Sequence, residues 1–264
     1  ESPPRLRLGD AARPTRYAAE LTVVPTQESF RGVVDIDVTV AHAVRVLWLN
    51  AEELSISRAE FISQSAGAKS SVVATVLAQP KDFVGLRTPQ PLAPGSYRLH
   101  LEYSGKMSAK DSGGAGRHKE GGEWYVTTHF EPIDARRVFP CFDEPGFKVP
   151  WQLNMVVRST DKALTNTRQL RETDIGGGMK RVEFAPTQPL PSYLIAWAVG
   201  PFDIVDAGKS ARSGTPVRVV TPRGQQAQAA WAGSCSAELL SLLEEYFGIN
   251  YPYDKMDVVA VPML

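Results

Sequence analysis

Histidine and cysteine are scarce in this chain, and so is any imbalance of charge. Among 264 residues there are 4 histidines (His42, His100, His118 and His129) and 2 cysteines (Cys141 and Cys235). No His-Glu-x-x-His occurs, which excludes a zincin helix within this sequence. Two cysteines so far apart make neither a Cys-x-x-Cys redox pair nor a four-cysteine zinc site, and they are too few for a disulfide framework. Lysine plus arginine (29) equals aspartate plus glutamate (29). That balance lacks the basic excess with which sequence-independent nucleic-acid binders neutralise phosphates. Unbroken apolar runs stop at about ten residues, around Tyr193 to Phe202, half of what a membrane-spanning helix requires. Apolar content of 43% with 22% charged residues is that of an ordinary globular protein, long enough for one large core or two smaller ones.

The first residues, Glu1-Ser-Pro-Pro-Arg, lack methionine and contain no charged-plus-apolar leader. The expectation is a processed or trimmed start, with export (periplasmic or secreted) favoured over a cytoplasmic location. From Tyr17 the pattern is β. Val34, Ile36, Val38 and Val40 alternate with Asp35, Asp37 and Thr39, which predicts a strand with one buried and one wet face. Further short runs rich in valine, threonine and aromatics follow at Val44–Leu49, Ser71–Val76, Phe83–Leu86, Tyr97–Tyr103, Trp124–Phe130, Trp151–Val157, Lys180–Phe184, Tyr193–Val199 and Val217–Val220. Turn clusters such as Pro94-Gly95 and Gly176-Gly177-Gly178 separate them. Many short strands predict a sandwich or a curved antiparallel sheet.

The character changes near residue 208. After a polar stretch, Gly208–Gly214, and one strand, Gln225–Phe247 reads as the single long helix. Trp231, Cys235, Leu239, Leu242, Leu243 and Tyr246 form its apolar stripe, and Gly248 stands at the C-cap. Met256–Pro262 reads as a buried strand. A helix and a strand only open an α/β domain, so the expected division is a β-domain over 1–207 and an incomplete second domain over 208–264. Gly113-Gly114-Ala115-Gly116 lacks the Lys-Ser/Thr ending of a phosphate loop and reads as a flexible loop.

The informative stretch is Thr128-His-Phe-Glu-Pro-Ile-Asp-Ala-Arg-Arg-Val-Phe-Pro-Cys-Phe-Asp-Glu-Pro-Gly-Phe-Lys148. It resembles the M1 family of zinc aminopeptidases, in which the pattern runs T-Q-F-E/Q-x-x-D-A-R-x-x-F-P-C-F-D-E-P-x-x-K. Tyr103-Ser104-Gly105, Pro191–Phe202 and Tyr246–Asp257 resemble other family segments, so the resemblance covers nearly the whole chain. It implies a mainly β fold: a saddle-shaped antiparallel β-sandwich domain followed by the first strand-helix-strand of a thermolysin-like α/β catalytic domain. It implies removal of N-terminal residues from peptides by a zinc-activated water. Both the Gly-x-Met-Glu-Asn motif and the zinc motif would follow Leu264, so zinc belongs to the full-length parent. The chain alone is expected to bind none and to be inactive. Expected partners are a peptide with a free N-terminus and the rest of the catalytic domain. The alternative is a non-catalytic relative used as an interaction scaffold.

Within this frame, Glu131 matches the family position that contacts the substrate α-amine. A carboxylate at a strand end suits an ammonium through a charge-assisted contact. Alternation places Trp124, Val126, Thr128 and Phe130 on one face and Tyr125, Thr127, His129 and Glu131 on the other. His129 stands where the family usually carries Gln and is read as a second substrate-pocket residue. Asp143 and Glu144 sit between apolar residues and prolines. They read as turn carboxylates paired with Arg136, Arg137 or backbone N–H groups, with Cys141 a buried apolar residue. Cys235 is read as part of the helix stripe, His42 and His100 as surface or packing residues, and His118 as a solvated loop residue. The resemblance also predicts a cis Glu131–Pro132 peptide.

Overall fold

The computed structural model describes residues 2–64, 70–77, 81–109 and 113–261. Its strands in chain order are β1 (Ala12–Thr22), β2 (Ser29–Val40), β3 (Val44–Asn50), β4 (Ser55–Ser63), β5 (Ser71–Val73), β6 (Thr75–Val76), β7 (Phe83–Leu92), β8 (Gly95–Lys106), β9 (Gly114–Glu120), β10 (Glu123–His129), β11 (Trp151–Arg158), β12 (Lys162–Thr165), β13 (Gln169–Gly176), β14 (Met179–Phe184), β15 (Trp197–Gly200), β16 (Phe202–Lys209), β17 (Pro216–Pro222) and β18 (Met256–Val259). The helix α1 spans Ala230–Phe247. The fold is mainly β, as the strand patterning predicts.

An eight-stranded sheet runs β13-β14-β11-β1-β2-β8-β4-β5, a four-stranded sheet β12-β15-β10-β9, and three-stranded sheets β16-β17-β18 and β3-β7-β6. The alternation in β2 works out as read. Val34, Ile36, Val38 and Val40 are buried, while on the other face Asp37 takes two hydrogen bonds from Arg98 (2.8 and 3.1 Å) and Asp35 meets His100 Nδ1 at 2.7 Å. The main core gathers the inner faces of β1, β2, β8 and β11 against Leu49, Leu86, Phe130 and Phe139. Tyr17 and Trp151 are paired across the parallel β1–β11 ladder, and their rings stack there at 3.8 Å.

Several local readings are corrected. Tyr193–Val199 is not a continuous strand: Ser192–Leu194 is a 3-10 turn and only Trp197–Gly200 pairs. Asn166 holds that turn, donating to the Leu194 carbonyl and accepting from Ala196 N–H, both at 2.9 Å. Gly113–Gly116 is not a free loop, because β9 begins at Gly114 and pairs with β10. His118 therefore lies on a strand, half-buried, its ring stacked 5.9 Å from Tyr125.

Helix α1 ends where expected, with Gly248 left-handed at φ 73°. Its stripe faces the other way from the expectation. Leu239, Leu242 and Leu243 are each 52% exposed, and Trp231 and Tyr246 more so. The packed face instead carries Ser236, Leu240, Ser241 and Glu244. Leu240 joins Ala207, Val217 and Val219. The buried polar groups are satisfied: Ser241 Oγ lies 3.0 Å from Ser210 Oγ, and Glu244 accepts from Ser210 Oγ and from Tyr251 N–H. Polar residues can line a buried helix face when every one of them has a partner.

Candidate functional site

The site is built where β10 ends. β10 lies between β15, with Val126 opposite Val199, and β9, with His129 opposite Gly114. Thr128 Oγ donates to the Trp197 carbonyl at 3.1 Å and accepts from its N–H at 2.9 Å. The expected alternation holds for Val126 and Phe130, which enter the main core, and for His129 and Glu131, which are exposed. Tyr125, on the face of His129 and Glu131, is buried in a second cluster with Leu164, Phe202 and Val220. Both faces of β10 are covered at Tyr125 and Val126, and its end at His129 is exposed.

Beyond His129 the chain turns sharply. The Glu131–Pro132 peptide is cis, as the resemblance predicts. Asp134 N–H donates to the Phe130 carbonyl at 2.9 Å, and Asp134–Arg137 forms a single 3-10 turn. Glu131 makes no hydrogen bond or ion pair with another described residue. It is an exposed carboxylate at the tip of a strand held along both edges.

The following Phe139–Asp143 segment is a buried brace. Cys141 and Asn50 exchange backbone hydrogen bonds at 2.9 and 3.0 Å. The Asn50 side-chain oxygen accepts from Asp143 N–H at 3.0 Å, and Tyr17 Oη accepts from Phe142 N–H at 2.9 Å. Asp143 accepts from Arg136 Nε at 2.9 Å and from Ser192 Oγ. Glu144 accepts from Leu8 N–H at 2.7 Å. Asp143 and Glu144 are thus turn carboxylates, as read. Cys141 is fully buried, and burial, then nearby Asp143, pushes its thiol well above the ordinary range. A thiol held protonated is a poor nucleophile.

Arg137 does not share in that brace. Its guanidinium faces three carboxylates, with Glu52 at 2.7 Å, Asp134 at 3.1 Å and Glu53 at 3.9 Å. Partial burial pushes the Asp134 carboxyl up, opposed by Arg137 and to a lesser degree by His129. Burial also raises Glu52, again against Arg137. Two glycines lie against this group. A Cβ on Gly113 would fall 2.3 Å from Asp134 Oδ2, and one on Gly114 would fall 3.0 Å from Arg137 Cβ. Both have φ in the left-handed region, 78° and 76°.

A cleft of about 320 Å³ opens between β10, β12 and β15 on one side and the chain around β18 on the other. Its walls include Thr127, Trp197, Tyr251, Tyr253 and Lys255. Lys255 Nζ donates to the Thr165 carbonyl at 2.7 Å and to Asp257 at 2.6 Å, and Arg218 grips Asp257 at 2.7 and 2.8 Å. Burial drives Lys255 down, whereas Asp257 stays below the usual carboxylate range because Arg218 and Lys255 outweigh its burial. No periodicity points to this cleft. The Thr128–Lys148, Pro191–Phe202 and Tyr246–Asp257 matches each contain some of its residues, but none shows that they meet, because its walls come from segments far apart in sequence.

Among the described residues no group of three or more His, Cys, Asp or Glu could hold a metal ion, and no helix is long and apolar enough to cross a membrane. Residues 13–194 match the family described as the Peptidase M1 N-terminal domain. The chain is 36% identical over 263 residues to Aminopeptidase M1-A of Oryza sativa subsp. japonica, covering 97% of this chain and 29% of that relative. It is 32% identical over 261 residues to the puromycin-sensitive aminopeptidase of Caenorhabditis elegans (97% and 27%). To the glutamyl aminopeptidase of Bos taurus it is 29% identical over 263 residues (97% and 27%). The chain spans under a third of the length of these relatives.

Proposed function

The chain belongs to the M1 aminopeptidase family, and from that premise we propose that it forms one wall of the substrate cleft of a zinc aminopeptidase, with Glu131 as the anchor for the substrate α-amine. The observation that carries this is an exposed carboxylate with no described partner, at the end of a strand fixed on both edges. A free α-ammonium supplies the positive charge that no described protein group gives Glu131. A catalytic zinc takes three side-chain ligands, and the described residues contain no such group. In this reading the chain's own contribution is recognition, and the isolated chain is without peptidase activity. The β16-β17-β18 sheet, against which α1 packs, begins at Phe202, so a domain break in this reading falls before β16, a few residues ahead of 208.

In the full-length protein, Glu131→Ala is expected to raise KM for peptides with a free N-terminus by roughly 10- to 100-fold. That corresponds to the ~1.5–3 kcal/mol of one hydrogen bond to a charged group. Steady-state kinetics on a dipeptide series would measure it, and an unchanged KM would remove Glu131 from the substrate site.

His129, exposed two residues earlier, is proposed to line the same pocket. Its ring offers a donor and an acceptor to a bound peptide. In the full-length protein His129→Ala is expected to raise KM for free-amine peptides severalfold. An unchanged KM would exclude the role.

A further inference from the structure

We infer that Arg137 is the positioning residue of the amine anchor: it fixes the turn behind Glu131 and neutralises the carboxylates around it, leaving Glu131 as the carboxylate open to an incoming ammonium. This rests on the reading of Glu131 above.

Glu131 has no described partner of its own, so the chain on either side must place it. On the N-terminal side, β9 and β15 hold β10. On the C-terminal side is the turn Asp134–Arg137, closed by one backbone hydrogen bond to Phe130 and held on its inner side by the Arg136–Asp143 pair. Arg137 ties that turn down. Its guanidinium joins Asp134 of the turn to Glu52 of the β3–β4 connection, while Glu52 N–H donates to the Arg136 carbonyl at 3.0 Å. From the opposite side Gly113 and Gly114 press on Asp134 and Arg137, and Gly114 is the register partner of His129. Three separate stretches of chain thus meet around the Arg137 side chain.

The charges point the same way. Glu52 and Asp134 each have Arg137 within 3.1 Å, and Glu53 has it at 3.9 Å. Removing the cation would leave three like charges facing one another, with Glu131 only three residues from Asp134. The turn would open, and an ammonium would meet several competing carboxylates. Arg137 itself is 26% exposed, whereas Ala135, Val138 and Phe139 are fully buried. Its loss therefore acts on the anchor and not on the core.

The test is Arg137→Gln in the full-length protein, alone and combined with Glu131→Ala. Arg137→Gln is expected to raise KM for free-amine peptides roughly tenfold with kcat within about twofold. In the Glu131→Ala background it is expected to add little, as coupled residues are not additive. Arg137→Lys is expected to recover only part, because a point-charge ammonium replaces a planar guanidinium whose Nη2 donates to Glu52 while its Nε faces Asp134 as an ion pair without a hydrogen bond. It also carries the test should Arg137→Gln unfold. In the 264-residue chain, amide exchange over residues 130–137 is expected to speed up while exchange in β1, β2 and β8 stays unchanged. A folded Arg137→Gln with wild-type KM and wild-type exchange overturns the inference, as does a KM effect that adds in full to that of Glu131→Ala. If Glu131→Ala is itself silent, the reading of Glu131 has failed and the inference falls with it. A Glu131→Ala effect with a silent Arg137→Gln removes Arg137 alone.

Discussion

Asp143→Ala is expected to lower the unfolding free energy by about 3–5 kcal/mol, the range found when one partner of a buried ion pair is removed. The Asp143 side chain is 2% exposed and that of Arg136 is 9% exposed. Besides Arg136 Nε at 2.9 Å, the carboxylate takes the Arg136 backbone N–H at 3.4 Å and Ser192 Oγ. Truncation leaves a guanidinium out of water with no counter-charge and a buried hydroxyl short of its acceptor. Asp143→Asn keeps the shape but not the charge, so it too is expected to be costly. Replacing both residues, Arg136→Met with Asp143→Ala, is expected to cost less than Asp143→Ala alone, because no charge then stays buried. Urea denaturation followed by circular dichroism orders the three variants. A loss below about 1 kcal/mol for Asp143→Ala would mean that water reaches Arg136 and that the brace is not a closed pair.

Trp151→Ala is expected to cost a similar ~3–5 kcal/mol. The indole is 1% exposed, lies flat on Tyr17 at 3.8 Å with a 3° interplanar angle, and meets the edge of Phe139 at 5.3 Å. It links the β1–β11 ladder to the segment that leads into Pro140 and Cys141. Its Nε1–H has no hydrogen-bond partner among the described residues. Trp151→Phe keeps a ring on Tyr17 and removes that unpaired donor, so its cost is expected to stay under about 1.5 kcal/mol. The gap between the two variants is the test. Equal losses would show that the stack on Tyr17 is not the source of the stability.

What could be read locally was whatever a residue's immediate neighbours decide. The valine-isoleucine alternation of β2 shows a buried face because side chains change face at every residue. The prolines around Asp143 and Glu144 mark a turn, and turn carboxylates find backbone donors. Gly248 marks a helix end because only a left-handed residue closes that cap at low cost. The misreadings share a different cause. Gly113 and Gly114 look like a flexible loop until Asp134 and Arg137 are seen against them. His118 looks solvated until its strand pairs with β10 and brings Tyr125 beside it. The leucines of α1 look like its buried stripe, yet the face against β16 and β17 holds Ser241 and Glu244. Ser210 and the Tyr251 N–H satisfy that face from 31 positions before Ser241 and 7 positions after Glu244.

The amino-acid sequence by itself determined the family, the β character and the identity of Glu131 and His129 as candidate site residues. The β character follows from residue types and their spacing, whereas the two site residues follow from the family resemblance of the Thr128–Lys148 segment. It also limited the chemistry: four histidines without a His-Glu-x-x-His leave no zincin helix in this chain. Only the tertiary structure decided that Tyr125 is buried, that Arg136 pairs with Asp143 while Arg137 turns to Glu52, and that Glu131 is left without a partner among the described residues. Two adjacent arginines are indistinguishable by type and spacing. They part because one side of a 3-10 turn meets a closed core, where a guanidinium requires a buried counter-charge. The other side meets solvent and three carboxylates, Asp134 of the same turn and Glu52 and Glu53 of a distant segment.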